Sequence, residues 1–160
     1  MIRPATIYDA PAIVAIYNRY IAETAVTFET VTIETAEMER RISEILATGP
    51  FLVYCDGDCI KGYCYAHPWK ERAAYSATFE VSVYLAPENC GQGIGTMLLN
   101  RLIADCRSRG VHVLVACITG GNTVSNRLHE KAGFNKVSCF KEVGRKFDRW
   151  YDVVDYELIL

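Results

Sequence analysis

The chain has little of what would mark it as anything other than a folded protein. It holds 160 residues, and its 17 Lys and Arg nearly balance its 19 Asp and Glu. That balance excludes a general nucleic-acid surface and a disordered, self-repelling chain. There are no repeats, no low-complexity tracts and no long linkers, so one domain spanning 1–160 is expected. No apolar run reaches transmembrane length. The amino terminus, MIRPATIYDA, lacks the apolar core of a signal peptide, and a cytoplasmic protein is expected. The seven cysteines never form C-x-x-C, which argues against a zinc site or a dithiol redox centre, and no metal is expected. Cys55, Cys59, Cys64, Cys106 and Cys117 fall in apolar runs and read as small core residues.

What is present is organised by periodicity. Ile2–Thr6 reads as a strand. Asp9 is placed to cap a helix with Pro11 in its first turn and a stripe of Ile13, Ile16, Tyr17, Tyr20 and Ile21. A loop at Val26–Val31 precedes a helix near Thr35–Ala47, ended by Gly49-Pro50. Phe51–Cys55 and Cys59–Ala66 flank the turn Asp56-Gly57-Asp58 as a hairpin. Then come a strand at Thr78–Leu85, a helix at Ile94–Arg109, a strand at Val111–Ile118 and a short helix at Asn122–Lys131. Strands Phe134–Val143 and Trp150–Leu160 finish the chain. This order predicts an α+β protein whose mixed, mostly antiparallel sheet of about seven strands carries about four helices on its faces.

The most informative stretch is V-Y-L-A-P-E-N-C-G-Q-G-I-G-T-M-L-L, Val83–Leu99. A strand stops at Pro87 and a turn with Gly91, Gly93 and Gly95 feeds directly into a helix. Bare amides at a helix start, with the helix dipole behind them, form an anion cradle. Spacing removes two phosphate binders. A dinucleotide fingerprint starting at Gly91 would need its third glycine at Thr96, and no lysine follows Gly95 as a P-loop requires.

The turn resembles the pyrophosphate loop of the GNAT N-acetyltransferases, R/Q-x-x-G-x-G/A after a V-x-V/L-x-P strand. Gly93 and Gly95 stand on its glycines, while Cys90 stands where arginine or glutamine is usual, so weaker coenzyme binding is expected. The element order matches this family along nearly the whole chain. The resemblance implies acetyl-CoA as co-substrate, held by Val83, Tyr84 and Leu85 on the strand and by Gly91, Gln92, Gly93, Ile94, Gly95 and Thr96 in the turn. Backbone N–H groups near Val83 are then expected to hold the oxyanion.

Acetylating an amine needs a base for the ammonium proton and a proton for the departing thiolate. Period two puts Phe79, Val81, Val83 and Leu85 on one face of their strand and Glu80, Ser82 and Tyr84 on the other. Glu80, shielded in an apolar strand, is the candidate base. Asn122, Ser125 and His129 fall on one helical stripe. The segment N-T-V-S-N-R-L-H-E-K-A-G-F is similar to the family helix that flanks the pantetheine arm. His129 replaces its usual tyrosine and is expected to act as acid or carbonyl orienter.

H-E-K-A-G-F, P-W-K-E-R-A-A-Y-S-A-T-F-E-V-S-V-Y-L and N-R-Y-I-A-E-T-A-V-T-F-E-T resemble the phosphinothricin and methionine sulfone N-acetyltransferase subgroup. That resemblance implies a small amino-acid-like acceptor, with Phe28 covering it and Lys70, Arg72 and Tyr75 anchoring it. Arg72 suits bidentate bonds to a carboxylate. Trp150 and Asp152 match the subgroup's W-x-D pattern, and a homodimer is implied. Three alternatives stay open: another amine acceptor such as a protein N-terminus, a silent acetyl-CoA-binding module, and a covalent route through Cys90. His67 and His112, beside apolar strand residues, read as structural.

Overall fold

Apolar residues run without interruption through Phe51–Val53, as they do in strands covered on both faces. In the computed structural model, which describes residues 1–160, this strand lies inside a mixed sheet of seven strands. The strands are β1 (Ile2–Pro4), β2 (Phe51–Asp56), β3 (Cys59–Pro68), β4 (Thr78–Leu85), β5 (Val113–Thr119), β6 (Asn135–Lys146) and β7 (Arg149–Ile159). Their spatial order is β1-β2-β3-β4-β5-β7-β6. All neighbours are antiparallel except β4 and β5. The helices are α1 (Ala10–Glu23), α2 (Thr35–Thr48), α3 (Ile94–Ser108) and α4 (Thr123–Lys131).

Alternation along the strands feeds two cores. Leu52, Cys64, Val81, Leu114 and Ala116 meet Leu98, Leu99 and Leu102 of α3 on one face. Phe51, Val53 and Tyr63 meet Ile13, Tyr17 and Ile42 of α1 and α2 on the other. Each fully buried side chain of this size contributes about 1.5–3 kcal/mol, so the sheet is clamped from both sides.

Two irregularities create the site. The parallel pair β4–β5 is hydrogen-bonded only where Thr78–Glu80 meet Val113–Val115. Past Glu80 the two strands part, leaving a wedge at their carboxyl ends, where open α/β sheets bind ligands. The second irregularity is a bulge in β6 between Phe140 and Gly144. There Glu142 takes a positive φ of 52°. Asp152 on β7 holds the bulge by accepting from the Glu142 N–H at 3.0 Å and from Lys141 Nζ at 2.8 Å.

Several expectations need correction. The Asp9 carboxylate does not cap α1; it turns back to accept from the Thr6 N–H at 2.8 Å and from Arg3 at 2.7 and 2.8 Å. Cys59 and Cys117 are exposed, whereas Cys55, Cys64 and Cys106 are buried. β5 begins at Val113 and not Val111, and β6 runs on to Lys146 because the bulge absorbs extra residues without ending the pairing.

Candidate active site

The wedge is built from β4, the turn after it, and the ends of β5 and α4. Pro87–Asn89 form a single tight helical turn, and Gly91 and Gly93 then take φ of 78° and 81°. Only glycine adopts that left-handed backbone freely, and both positions face open space. Gly93 caps α3, so the first-turn amides that follow have no partner within the helix. Gly91, Gly93, Gly95 and Thr96 form a hollow with Leu85 and with Arg127 and Lys131 of α4. These two cations were not singled out from sequence, although their i, i+4 spacing on one helix was visible. They supply positive charge beside the turn, where Cys90 brings none. The Cys90 thiol is instead directed at the Ala86 carbonyl, 3.9 Å away. The Gln92 side chain also turns away, donating to the Glu88 carbonyl at 3.2 Å, so only its backbone is available to the cradle. Tyr84 likewise offers its main chain, since its ring packs among Tyr17, Tyr20 and Tyr63.

Deeper in the wedge lies a cavity lined by Val83, Cys117, Asn122, Ser125 and His129 among others. Asn122 caps α4, its side chain accepting from the Ser125 N–H at 3.1 Å. His129 is buried, with its ring edge-on to Phe134 at 5.1 Å. Its Nδ1 lies 2.9 Å from the Ser125 carbonyl. A carbonyl can only accept, so that bond places the imidazole proton on Nδ1. Nε2 is then a lone pair, buried and without a partner in the protein. Burial lowers the His129 pKa from its ordinary value, partly opposed by the Ser125 carbonyl, and the ring is neutral at pH 7. In this resting state the free nitrogen is an acceptor.

Glu80 is on the opposite face of β4 from the α3 core, as alternation required. It pairs across the sheet with His67 of β3. Burial raises the Glu80 pKa, the Asp155 carboxylate raises it further, and His67 and the Cys117 thiol oppose them. His67 faces Glu80 across the sheet, and Asp155, which the sequence did not single out, bears on it from beyond β5; both relations follow from the strand order.

The acceptor residues separate into two groups. Phe28 lies against Gly144, where any Cβ would come within 2.1 Å of its ring, and faces Tyr151 at 6.3 Å. Its loop is tied down from the sheet. Lys146, buried, donates to the Thr27 carbonyl at 2.9 Å, and Thr119 donates to the Ala25 carbonyl at 2.7 Å. Lys70, Arg72 and Tyr75 instead line a separate surface hollow with Glu71. The Lys70 ammonium sits 3.9 Å from the Trp69 ring centre, a cation–π contact. These three are not brought into the cavity that His129 lines.

A glycine turn with free amides at a helix start, a cavity holding a proton-accepting nitrogen, and a shielded carboxylate on the strand before the turn form an arrangement suited to group transfer from a phosphate-bearing donor. Comparison with known proteins narrows the class. The acetyltransferase (GNAT) domain family matches residues 2–154. A phosphinothricin N-acetyltransferase of Alcaligenes faecalis is 41% identical over 148 residues, covering 91% of this chain and 75% of that protein. An L-methionine sulfoximine/L-methionine sulfone acetyltransferase of Pseudomonas paraeruginosa is 35% identical over 162 residues, covering 99% and 94%. An acetyltransferase from Salmonella typhimurium, solved with its cofactor acetyl-CoA, superposes with a TM-score of 0.98 at 35% identity, covering 100% of this chain and 93% of its own. The chain belongs to the GNAT acetyltransferase family, and it is an N-acetyltransferase.

Proposed function

We propose that the protein transfers the acetyl group of acetyl-CoA directly to the α-amine of a small amino-acid-like acceptor, of the phosphinothricin, methionine sulfoximine or methionine sulfone type. The observation that carries this reading is a single strand, β4, that holds a shielded carboxylate and runs straight into the phosphate cradle. The names of the relatives from Alcaligenes and Pseudomonas supply the acceptor class.

The turn amides of Gly91–Thr96 grip the diphosphate, with Arg127 and Lys131 alongside. The parted strands receive the arm that carries the thioester. Glu80 takes the proton from the acceptor's ammonium, directly or through water, and its raised pKa makes it a competent base. The freed amine adds to the carbonyl, and N–H groups near Val83 hold the oxyanion. His129 Nε2 accepts the second amine proton as the tetrahedral species forms. The imidazolium then returns that proton to the thiolate as the C–S bond breaks, so one residue serves as base and acid in turn. Asn122 and Ser125 fix the ring through the α4 cap. Phe28 and its pinned loop close over the acceptor, and Lys70, Arg72 and Tyr75 offer it cations and a hydroxyl from the separate hollow that they line.

No acyl-enzyme is needed. Cys90 has no histidine beside it, and partial desolvation with two facing carboxylates holds the Cys117 thiol protonated. Phe140, Val143, Phe147 and Trp150 are exposed on β6 and β7 and their connection, and we assign this apolar surface to a homodimer contact. None of the seven cysteines is bonded, which fits the reducing cytoplasm where acetyl-CoA is made. No helix is long and apolar enough to cross a membrane.

The test is turnover of acetyl-CoA with phosphinothricin, methionine sulfoximine and methionine sulfone, set against N-terminal peptides and spermidine. Glu80→Gln is expected to remove the Glu80 contribution from the acid limb of the pH–rate profile, leaving that of His129, and to slow the reaction most below the amine's own pKa. Release of CoA with none of these amines, or an unaltered profile in that variant, refutes the reading.

A further inference from the structure

The face of the sheet that carries Glu80 has a lateral row of polar side chains that the mechanism above leaves unused. His67 stands directly opposite Glu80 on β3. On the other side, Glu80 pairs with Val115, and Cys117, two residues on, points to the same face. Cys117 in turn stands directly opposite Asp155 on β7, and Asp155 opposite Ser138 on β6. Ser138 donates to Asp155 Oδ2 at 2.7 Å, which fixes that carboxylate's orientation. The row thus reads imidazole, carboxylate, thiol, carboxylate, hydroxyl across five strands. Glu157 lies on the same face beyond Val115, and Arg41 of α2, paired with Glu29 and Glu37, lines a surface hollow with Tyr65 and His67.

We propose that Asp155 is a positioning residue for the catalytic base, acting on Glu80 across β5 with the Cys117 thiol lying between them. The argument depends on the assignment of Glu80 as base but goes beyond it. A buried carboxylate alone drifts toward protonation; one whose site also holds a fixed anion is harder to ionise still. Asp155 is that anion, and Ser138 keeps it aimed inward. Cys117 does the opposite: its S–H can be given to Glu80, which favours the ionised base. Partial desolvation at the edge of the wedge is the largest effect on this solvent-accessible thiol, and both carboxylates join it in keeping the thiol protonated. It is therefore a standing donor and not a nucleophile. Two neighbours of opposite effect, one strand and two strands away, set the pH at which Glu80 begins to work.

The decisive measurement is the acid limb of kcat/KM, which falls as pH drops through the Glu80 pKa. Asp155→Asn removes the repelling charge and is expected to move that limb down by roughly half to one pH unit. Cys117→Val removes the donor and is expected to move it up. Asp155→Glu should restore the original position, and Asp155→Ser serves in place of the asparagine variant if that protein does not fold. A purely structural Asp155 would lower melting temperature and rate together while leaving the limb where it was. The same displacement should appear in a carbon-13 titration of the Glu80 carboxyl in protein free of acetyl-CoA, assigned with Glu80→Gln. That second readout separates the two ideas: an inactive protein whose Glu80 still titrates lower in Asp155→Asn defeats the proposed function and sustains this inference. An unmoved limb and an unmoved carbon-13 inflection overturn it.

Discussion

His129→Leu should separate stability from activity, and the sizes can be worked from the contacts. The buried, unpartnered Nε2 costs about 1–3 kcal/mol of lost hydration, which the substitution recovers. Against this stand the Nδ1 bond to the Ser125 carbonyl, about 1 kcal/mol, and the edge-on contact with Phe134, about 0.5–1 kcal/mol. That carbonyl keeps its helical N–H partner, so no new orphan appears. The balance lies between about −1 and +1.5 kcal/mol for leucine, so the melting temperature should shift by no more than a few degrees in either direction. Activity should fall far more, since loss of a proton-transferring group typically costs 10²–10⁴-fold. Thermal melts and a thiol-release assay on the same preparation read both. Destabilisation beyond about 2 kcal/mol would show that Nε2 is not an uncompensated cost. Retention of full kcat would remove His129 from the chemistry.

Three further outcomes are expected. Gly93→Ala meets no atom, so its penalty is purely torsional, about 1–2 kcal/mol; it should raise the KM for acetyl-CoA well above that for the acceptor in steady-state kinetics. Arg127→Ala and Lys131→Ala should each raise the same KM about two- to fivefold at low salt, with the difference shrinking in 0.5 M salt as screening takes over. Asp9→Ala breaks the Arg3 and Thr6 bonds for about 1 kcal/mol, discounted because Arg3 is 41% exposed. Asp9 is held below its ordinary carboxyl pKa of 3.8, chiefly by Arg3. Its contribution is therefore complete above that value and vanishes as pH falls through the folded pKa, so the wild-type and variant melting temperatures should converge in acid.

The strands, helices and glycine turn could be read in the sequence because each is written in local chemistry. Period two in Phe79–Leu85, the stop at Gly49-Pro50 and the spacing of Gly91 and Gly93 need no knowledge of distant residues. What stayed hidden is what the sheet brings together from far apart. Asp155 comes opposite Cys117, one strand beyond the neighbour of Glu80, only because β7 inserts between β5 and β6, an order no periodicity announces. His67 shares its alternation with ordinary strand residues, and only pairing with Glu80 distinguishes it. The tautomer of His129 depended on the helix turn that put the Ser125 carbonyl under Nδ1. Cys117 misled because an apolar run was read as core, while the strand passes the open wedge at that point. Lys70 and Arg72 were expected as acceptor anchors only from the resemblance; the Lys70 ammonium contacts the Trp69 and Tyr75 rings, and neither residue lines the cavity.

The segment carrying Phe28 is moored by Thr119 and Lys146 through the peptide oxygens of Ala25 and Thr27. Every amino acid possesses such an oxygen, so the moorings ignore which side chains the segment displays. Under the proposed function, substitutions there reshape the cover over the acceptor while the segment's path through space is preserved, so a change of acceptor requires no rebuilding of the sheet that moors it.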